Sequence, residues 1–543
     1  MSPLSRSVAA LATVLVLSGC VSLPRERGYT ETRDLIAQQR PLPTDWSPLA
    51  TDQSPLIPTT PLSIDDAVRI AFFNNPRLRE EFTRLGFGRA ELEDARRIAN
   101  PSLGYLRLSP RAGNGTQITG SLSLGLTDLL LLSARKRLAE GELERIQLAV
   151  AGAALELATE VEAVWYEAVG AEQIAAMRDL VARASEQSAE LAQRFFDAGN
   201  INRLQLEQER AAASQARIDA TRAGADALRS RHALAALMGL PTSASWTIQT
   251  QLPAPRDVGF SADALVQLAL ESRLDLAAAK RAVALREDAL GVTRRWRWVG
   301  DVEVGYERER ELDGEVLRGP SLALALPLFN QGQGALARAQ AELQQARAEL
   351  DGRLLAVQND TRLGLDALQV ARTIAERYRV DIVPRREAIV ARTQEQVNFM
   401  LVGVFELLLA KQQEYDAYQA YLEAVRDYWI ARAALRGAVG GRLPDDGEAT
   451  EPTLGVEAIM PAPAAAEMDH SQHGEKSNDP HAGHHMPKSA DAADPHAGHA
   501  MPQDRSEPDP HAQHRQQAEP TKAEKAPEPD EETEHTHDHG EQP

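Results

Sequence analysis

Apolar and polar residues alternate in four short stretches of this chain. In residues 118–126, Ile118, Leu122, Leu124 and Leu126 fall on one side, and Thr119, Ser121 and Ser123 on the other. In residues 301–307, Val302, Val304 and Tyr306 alternate with Asp301, Glu303 and Glu307. Residues 103–108 and 322–326 supply two more such stretches. A period of two predicts strands with one apolar and one polar face. In a water-soluble sheet the apolar face would pack on a core. In a membrane barrel it would face lipid, and the polar face would line water. Four strands cannot close a barrel, and open sheet edges are not tolerated in lipid. Membrane-spanning strands in this number therefore require several chains.

A second pattern is far longer. No Pro occurs between Pro110 and Pro241, a run of 130 residues. From Ser133 to Asn200 the strong helix formers Ala, Leu, Glu, Arg and Gln dominate. Leu143, Ile146, Val150, Ala153, Leu157, Val161 and Val164 step by three and four, as in a coiled coil. At 1.5 Å per residue this helix would be about 100 Å long, more than a globular domain needs. Ala198-Gly199-Asn200 would turn it into a second helix from about Arg203 to Leu240. Residues 333–442 repeat the plan, with Met400 to Gly403 as the turn and Pro384 as a candidate kink.

The repetition is a duplication. Ser63-Ile64-Asp65-Asp66-Ala67-Val68-Arg69-Ile70-Ala71 matches Ser261-Ala262-Asp263-Ala264-Leu265-Val266-Gln267-Leu268-Ala269 at an offset of 198. Both read as short helices with a Ser cap and an acidic first turn. Leu122-Ser123-Leu124-Gly125-Leu126 matches Leu322-Ala323-Leu324-Ala325-Leu326 at an offset of 200. Each half reads as a short helix, two strands and long helices. The halves span residues 61–250 and 256–443, joined near Leu252-Pro253-Ala254-Pro255. The expected fold is mainly α with a small β part: antiparallel α-helical coiled-coil hairpins plus four membrane β-strands per chain.

The N-terminus changes the picture. Arg6 precedes an apolar run from Val8 to Leu17, too short to span a bilayer comfortably, that ends in Leu17-Ser18-Gly19-Cys20. This is the lipobox pattern of bacterial lipoprotein signal peptides. It makes residues 1–19 a signal and Cys20, the chain's single cysteine, the lipidation site. Val21 follows, where an Asp would favour retention at the inner membrane, so the outer membrane is expected. Residues 20–60 read as an extended segment. One Cys also removes any disulfide framework and any Cys-based metal site.

The charge of the 543 residues is −20, but it is unevenly placed. Residues 444–543 hold 23 Asp and Glu against 6 Lys and Arg, a net of −17, and 12 of the 13 His, with no Phe, Trp or Tyr. A segment without large apolar side chains cannot offset its ordering entropy and is expected to be disordered. Acidity also argues against nucleic acid as a partner. Within this tail Asp479-Pro480-His481-Ala482-Gly483-His484-His485-Met486-Pro487 recurs as Asp494-Pro495-His496-Ala497-Gly498-His499-Ala500-Met501-Pro502 and as Asp509-Pro510-His511-Ala512-Gln513-His514. The copies are spaced by 15 residues. Met468-Asp469-His470-Ser471-Gln472-His473 precedes them, and His535-Thr536-His537-Asp538-His539 follows. Imidazole binds copper, zinc and nickel, and thioether favours Cu(I). His470, His473, His481, His484, His485, Met486, His496, His499, Met501, His511, His514, His535, His537 and His539 are therefore candidate ligands, with copper named first and other divalent ions next. The Met468-Asp469-His470-Ser471 segment resembles the Met/His repeats of periplasmic copper-resistance proteins.

The duplicated plan as a whole resembles the TolC-like outer-membrane efflux channels, especially their lipoprotein branch. Pro327-Leu328-Phe329-Asn330-Gln331-Gly332 with Ala335, Phe196-Asp197-Ala198-Gly199, Ile382-Val383-Pro384 and Asn100-Pro101-Ser102-Leu103 carry the resemblance, which covers roughly residues 60–440. It implies a homotrimer with a 12-strand barrel in outer-membrane lipid and an α-helical tunnel in the periplasm. It also implies a periplasmic adaptor at the hairpin tips Ala198, Gly199, Asn200, Leu401, Val402 and Gly403, and an inner-membrane proton-driven pump. The tail would then hang in the periplasm. Two departures stand out: the second tip reads Met400-Leu401-Val402-Gly403, and Thr127-Asp128-Leu129 replaces the Pro-Leu-Phe join in the first half.

The chain carries no phosphate loop, no Gly-x-Ser-x-Gly and no His-Glu-x-x-His, so no enzyme and no channel cofactor is expected. His232, the body's single histidine, reads as structural or solvated. Glu207, Glu209 and Glu406 could ring the tunnel entrance, or form an ordinary solvated face. The expected function is export of heavy-metal ions, copper first, through a tripartite efflux system. A channel for organic substrates with a metal-buffering tail, or a periplasmic metal-sequestering scaffold, are the alternatives.

Overall fold

The computed structural model describes residues 28–40, 56–58, 61–111, 115–256 and 259–444. The chain divides into two units, 1–465 and 466–543, and every described residue belongs to the first. Cys20 and the candidate metal ligands from His470 to His539 lie outside the described residues.

Segment 20–60 is not wholly extended. Tyr29–Gln39 forms helix α1, with Ile36 fully buried. Its acidic first turn supplies the reason: the Glu31 carboxylate accepts the Gly28 N–H at 2.8 Å.

Each half then opens with two helices where one was expected. In the first half these are α2 (Ile64–Asn74) and α3 (Pro76–Arg96), followed by strands β1 (Ser102–Leu108) and β2 (Gln117–Gly125). The Asn75 side chain accepts the N–H groups of Arg77 and Leu78 at 2.8 and 3.3 Å, and Pro76 takes the first helical turn, so α3 is capped at the residue where α2 stops. Ser63 caps α2 as expected, accepting from the Asp66 N–H at 3.2 Å.

Two helices complete the first half: α4 (Leu126–Asp197), 72 residues and about 108 Å long, and α5 (Arg203–Leu237). Helix α4 starts at Leu126, not at Ser133, because no proline separates it from β2.

The second half repeats this order with α6 (Ala262–Ser272), α7 (Leu274–Trp296), β3 (Val302–Arg310), β4 (Val316–Leu324), α8 (Gln333–Arg377), α9 (Val383–Asn398) and α10 (Val404–Val439). Ser261 precedes α6 but makes no side-chain cap bond; Ala264 stands where Asp66 fixes the Ser63 hydroxyl. Strands β2 and β4 end earlier than the pattern suggested, since Leu126 is helical and Leu326 lies beyond β4, whereas β3 continues past Glu307 to Arg310.

Pro384 acts through the turn before it. Pro has no N–H to donate, and Tyr378–Ile382 between α8 and α9 widens into a π-turn whose closing bond runs from the Val383 N–H to the Tyr378 carbonyl.

Helix α4 is the hub. It pairs with α5 along its second half and is also packed by α3, α7 and α10, while α10 pairs with α8 and α9. Burial from several sides widens its apolar face beyond a two-position stripe. Val150, Leu157 and Val161 are buried, as are Ala151, Ala154 and Ala158, whereas Leu143, Ile146, Ala153 and Val164 are half-buried. The inter-repeat linker is held on α10, where Trp429 Nε1 donates to the Pro253 carbonyl at 2.7 Å. Among the described residues no helix is long and apolar enough to cross a membrane.

Candidate functional site: a two-faced sheet and two helical tips

Strands β1 to β4 form one antiparallel meander in sequence order. Its register sorts the side chains. Leu103 pairs with Leu122 and Leu122 with Tyr306, Leu124 with Val304, Val304 with Leu322, and Val302 with Leu324. Residues directly opposite share a face, so these apolar side chains form one continuous surface. Nothing among the described residues covers it: Leu103 is 83% exposed and Leu322 71% exposed. Exposed apolar surface continues past β4 through Leu326, Leu328 and Phe329.

The other face is mostly polar, with Leu106, Leu108 and Leu317 toward the strand connections. Ser102 and Ser123 hydroxyls lie 2.6 Å apart, and Ser123 donates to Glu303 at 2.8 Å. Glu307 and Glu309 follow on the same face of β3, and Gln117 donates to Glu309. Gly305 sits in the row between Ser123 and Ser321, where a Cβ would come 2.8 Å from the Leu122 carbonyl. Strands β1 and β4 each pair on one side only, leaving two open edges.

The two joins from strand to helix differ, and the structure shows how the first works without Pro-Leu-Phe. Thr127 Oγ1 accepts the Val302 N–H at 2.9 Å and donates to the Gly300 carbonyl at 3.1 Å. One side chain in the first turn of α4 thus anchors the start of β3.

The two tips share one geometry despite unlike sequences. At the first, the Asn200 N–H reaches the Phe195 carbonyl at 2.8 Å and the Gly199 N–H reaches that of Phe196 at 2.9 Å. At the second, the Leu401 N–H reaches Gln396 and the Met400 N–H reaches Val397, both at 2.9 Å. Gly199 holds φ +74° and Met400 φ +58°. Met400, not Gly403, therefore fills the left-handed position; Gly403, with φ −80°, stands at the start of α10 as Asn202 stands before α5. Ala198, Gly199, Asn200, Leu401 and Gly403 are exposed and Val402 half-exposed. Met400 and Phe399 project beside them, 93% and 77% exposed.

Two of the acidic residues past the tips have partners within the chain. Glu209 turns to its own hairpin and accepts the Ser188 hydroxyl at 3.1 Å; burial there raises its carboxyl pKa, against the lowering effect of that bond. Glu207 pairs with Arg210 at 3.3 Å. Glu406 and His232 are exposed. Among the described residues no group of three His, Cys, Asp or Glu could hold a metal ion.

No protein-family model and no curated protein matches the chain. Solved structures do. CusC, described for transmembrane channel formation, aligns at 16% identity over 72% of this chain and 99% of its own, with a TM-score of 0.60. The Campylobacter jejuni CmeC outer membrane channel aligns at 15% over 70% and 85%, TM-score 0.61. The Vibrio cholerae outer membrane protein VceC aligns at 18% over 70% and 96%, TM-score 0.59. The chain has the TolC-like channel fold. In the TolC-like fold the sheet and the paired long hairpins seen here are parts of one architecture, and the chain spans nearly the full length of these neighbours.

Proposed function

We propose that the chain is one subunit of a homotrimeric outer-membrane export channel. Three four-strand sheets close a 12-strand barrel, and the hairpins of α4–α5 and α8–α10 build a periplasmic tunnel. The observation that carries this reading is the bare two-faced sheet with two open edges, set between helices far longer than a globular core requires. Pairing β4 of one subunit with β1 of the next satisfies both edges, turns the leucine face to lipid and the Ser/Glu face to water. The channel catalyses nothing and needs no cofactor. A periplasmic adaptor docks at the tips, and an inner-membrane pump supplies the energy. Cys20 carries the lipid anchor, and the histidine tail holds heavy-metal ions, copper first, in the periplasm. Copper is accordingly the first-named cargo.

Assembly is tested by placing cysteines along the β1 and β4 edges in outer-membrane preparations. Cross-linked trimers are expected; a stable monomer in the membrane overturns the reading. Cargo is tested in a strain lacking the channel. Restored copper tolerance supports metal export, whereas restored tolerance to organic substrates alone assigns an organic cargo.

A further inference from the structure

The exposed leucine face of the sheet is not uniform from end to end. Along β3, Val302, Val304, Tyr306, Arg308 and Arg310 share it, while Glu303, Glu307 and Glu309 share the opposite face. Charge is thus segregated by strand parity. Arg308 stands directly opposite Arg318 on β4, and Tyr105 lies in the same row across Gly120. The next row places Arg107 of β1 and Arg310 either side of Ile118. Read from the helices toward the strand connections, the face runs apolar, then to a row with Tyr306 beside Leu103 and Leu122, then to the row of Tyr105, Arg308 and Arg318, then to Arg107 and Arg310.

All four arginines are exposed, and among the described residues none makes an ion pair. Like charges directly opposite in a sheet are destabilising, and arginine at the midplane of a lipid face costs roughly 2–4 kcal/mol, falling to about 0–1 near the interface. Two basic rows beyond the apolar rows and Tyr306 therefore belong at a headgroup level, where an anion relieves their repulsion. The guanidinium fork matches phosphate oxygens two at a time.

We infer that Arg107, Arg308, Arg310 and Arg318 form a lipid-binding belt for the anionic phosphates of membrane-lipid headgroups on the barrel's outer face. The acyl chains lie on the leucine rows below, and Tyr105 and Tyr306 mark the boundary between the two. Arg107 and Arg318 sit on the two edge strands, so closing three sheets makes the belt continuous. The inference rests on the proposed barrel, because it needs the leucine face turned to lipid.

The experiment uses the full-length trimer reconstituted in vesicles of phosphatidylcholine, alone or mixed with diphosphorylated lipid A. Flotation with the vesicles and resistance to alkaline extraction come first; failure there strikes the barrel reading, not the belt. For inserted trimers, lipid A retained through detergent purification is then counted by native mass spectrometry. Wild type should retain it in preference to phosphatidylcholine. At about fivefold per basic side chain near an anionic surface, R308Q/R318Q should lower that preference by roughly twenty-five-fold. R308K/R318K should keep most of it, and S121A on the other face should not change it. Should the Gln variant fail to assemble, wild type alone decides: retention must fall with added salt and must not be blocked by millimolar inorganic phosphate. Equal retention in the Gln variant, salt-independent retention, or capture of free phosphate in place of lipid would overturn the belt.

Discussion

Arg40, at the end of α1, places Nη1 3.0 Å from Oε2 of Glu162 in the middle of α4, across 122 residues of sequence. The Glu162 carboxylate is 1% exposed, and Arg436 of α10 pairs with its other oxygen. Three elements distant in the chain are thereby fastened through one buried carboxylate. Tyr166, one turn on, stacks on Trp429 of α10 at 5.2 Å and closes the same junction.

Removing that charge should be costly. Glu162→Gln removes the charge that buried Arg40 and half-buried Arg436 share, leaving Arg40 only the more distant and exposed Asp65 at 3.9 Å, and breaking one side of a buried pair costs roughly 3–5 kcal/mol. Arg40→Met should cost less, because Arg436 still pairs with the carboxylate. Denaturant unfolding of the purified trimer measures both; a Glu162→Gln midpoint equal to wild type would sink the account.

The faces of the sheet make opposite predictions for one substitution. In the proposed barrel, Leu124→Arg and Leu322→Arg put a guanidinium into the central apolar row, between the Val302/Leu324 row and the Leu122/Tyr306 row, and should destabilise the trimer by about 2–4 kcal/mol. Ser123→Arg projects beside Glu303 in water and should be tolerated. Heat-resistance of trimers on gels separates the cases, and the reverse ranking would mean the faces are inverted.

Much of this was legible in the sequence, and the remainder was hidden for physical reasons. The α4 helix followed from Ala/Leu-rich steps of three and four without a proline, and the sheet faces followed from period-two alternation. Helices α3 and α7 were missed even though Asn75-Pro76 is a cap signal, because each sits between a short helix and a strand in what reads as connecting sequence. The Arg308–Arg318 row needed the strand register, which alternation alone does not set. Glu162 looks like any solvated helix residue until α1 and α10 cover it. The left-handed position of the second tip was not legible within Met400 to Gly403, because glycine is its usual occupant and Met400 occupies it here.

The tips can be tested through that position. A non-glycine residue in the left-handed region costs about 1–2 kcal/mol. Met400→Gly should therefore stabilise the second hairpin by up to about 1 kcal/mol, and Gly199→Val should destabilise the first by a comparable amount. Hydrogen exchange at residues 395–401 and 195–201 reports each locally. If adaptor docking uses the Met400 and Phe399 side chains, Met400→Gly should also weaken adaptor cross-linking while tip stability rises.

Acid sensitivity should centre on Asp275. Burial alone would raise its pKa, but the Arg273 guanidinium, with Nε at 3.0 Å and Nη2 at 2.8 Å, outweighs burial and holds the carboxyl below its ordinary 3.8. A group whose folded pKa is depressed contributes stability above its unfolded value and loses it as pH falls through the folded one. Asp275→Asn should therefore lower stability at neutral pH and flatten the acid limb below about pH 4. Melting temperatures measured across that range check it; parallel curves for wild type and Asp275→Asn would rule the contribution out.

The histidine tail makes the last prediction, which belongs to the proposed function. Metal binding requires neutral imidazole, and free histidine titrates near pH 6.5, so a peptide spanning Met468 to His514 should bind several copper ions and release them below about pH 6. Replacing Met468, Met486 and Met501 should weaken Cu(I) more than Cu(II), since thioether is the softer ligand. Deleting residues 445–543 removes none of the sheet, hairpins or buried Glu162 junction, so trimers should form and conduct as before. Copper tolerance should fall in part, because on the proposed reading the tail holds the ion without forming the passage. Growth of the truncated strain on copper, on zinc and on an organic efflux substrate gives the comparison. A loss confined to copper supports the first-named metal. A loss on zinc alone reassigns it. Equal growth on all three removes the metal-handling role from the tail.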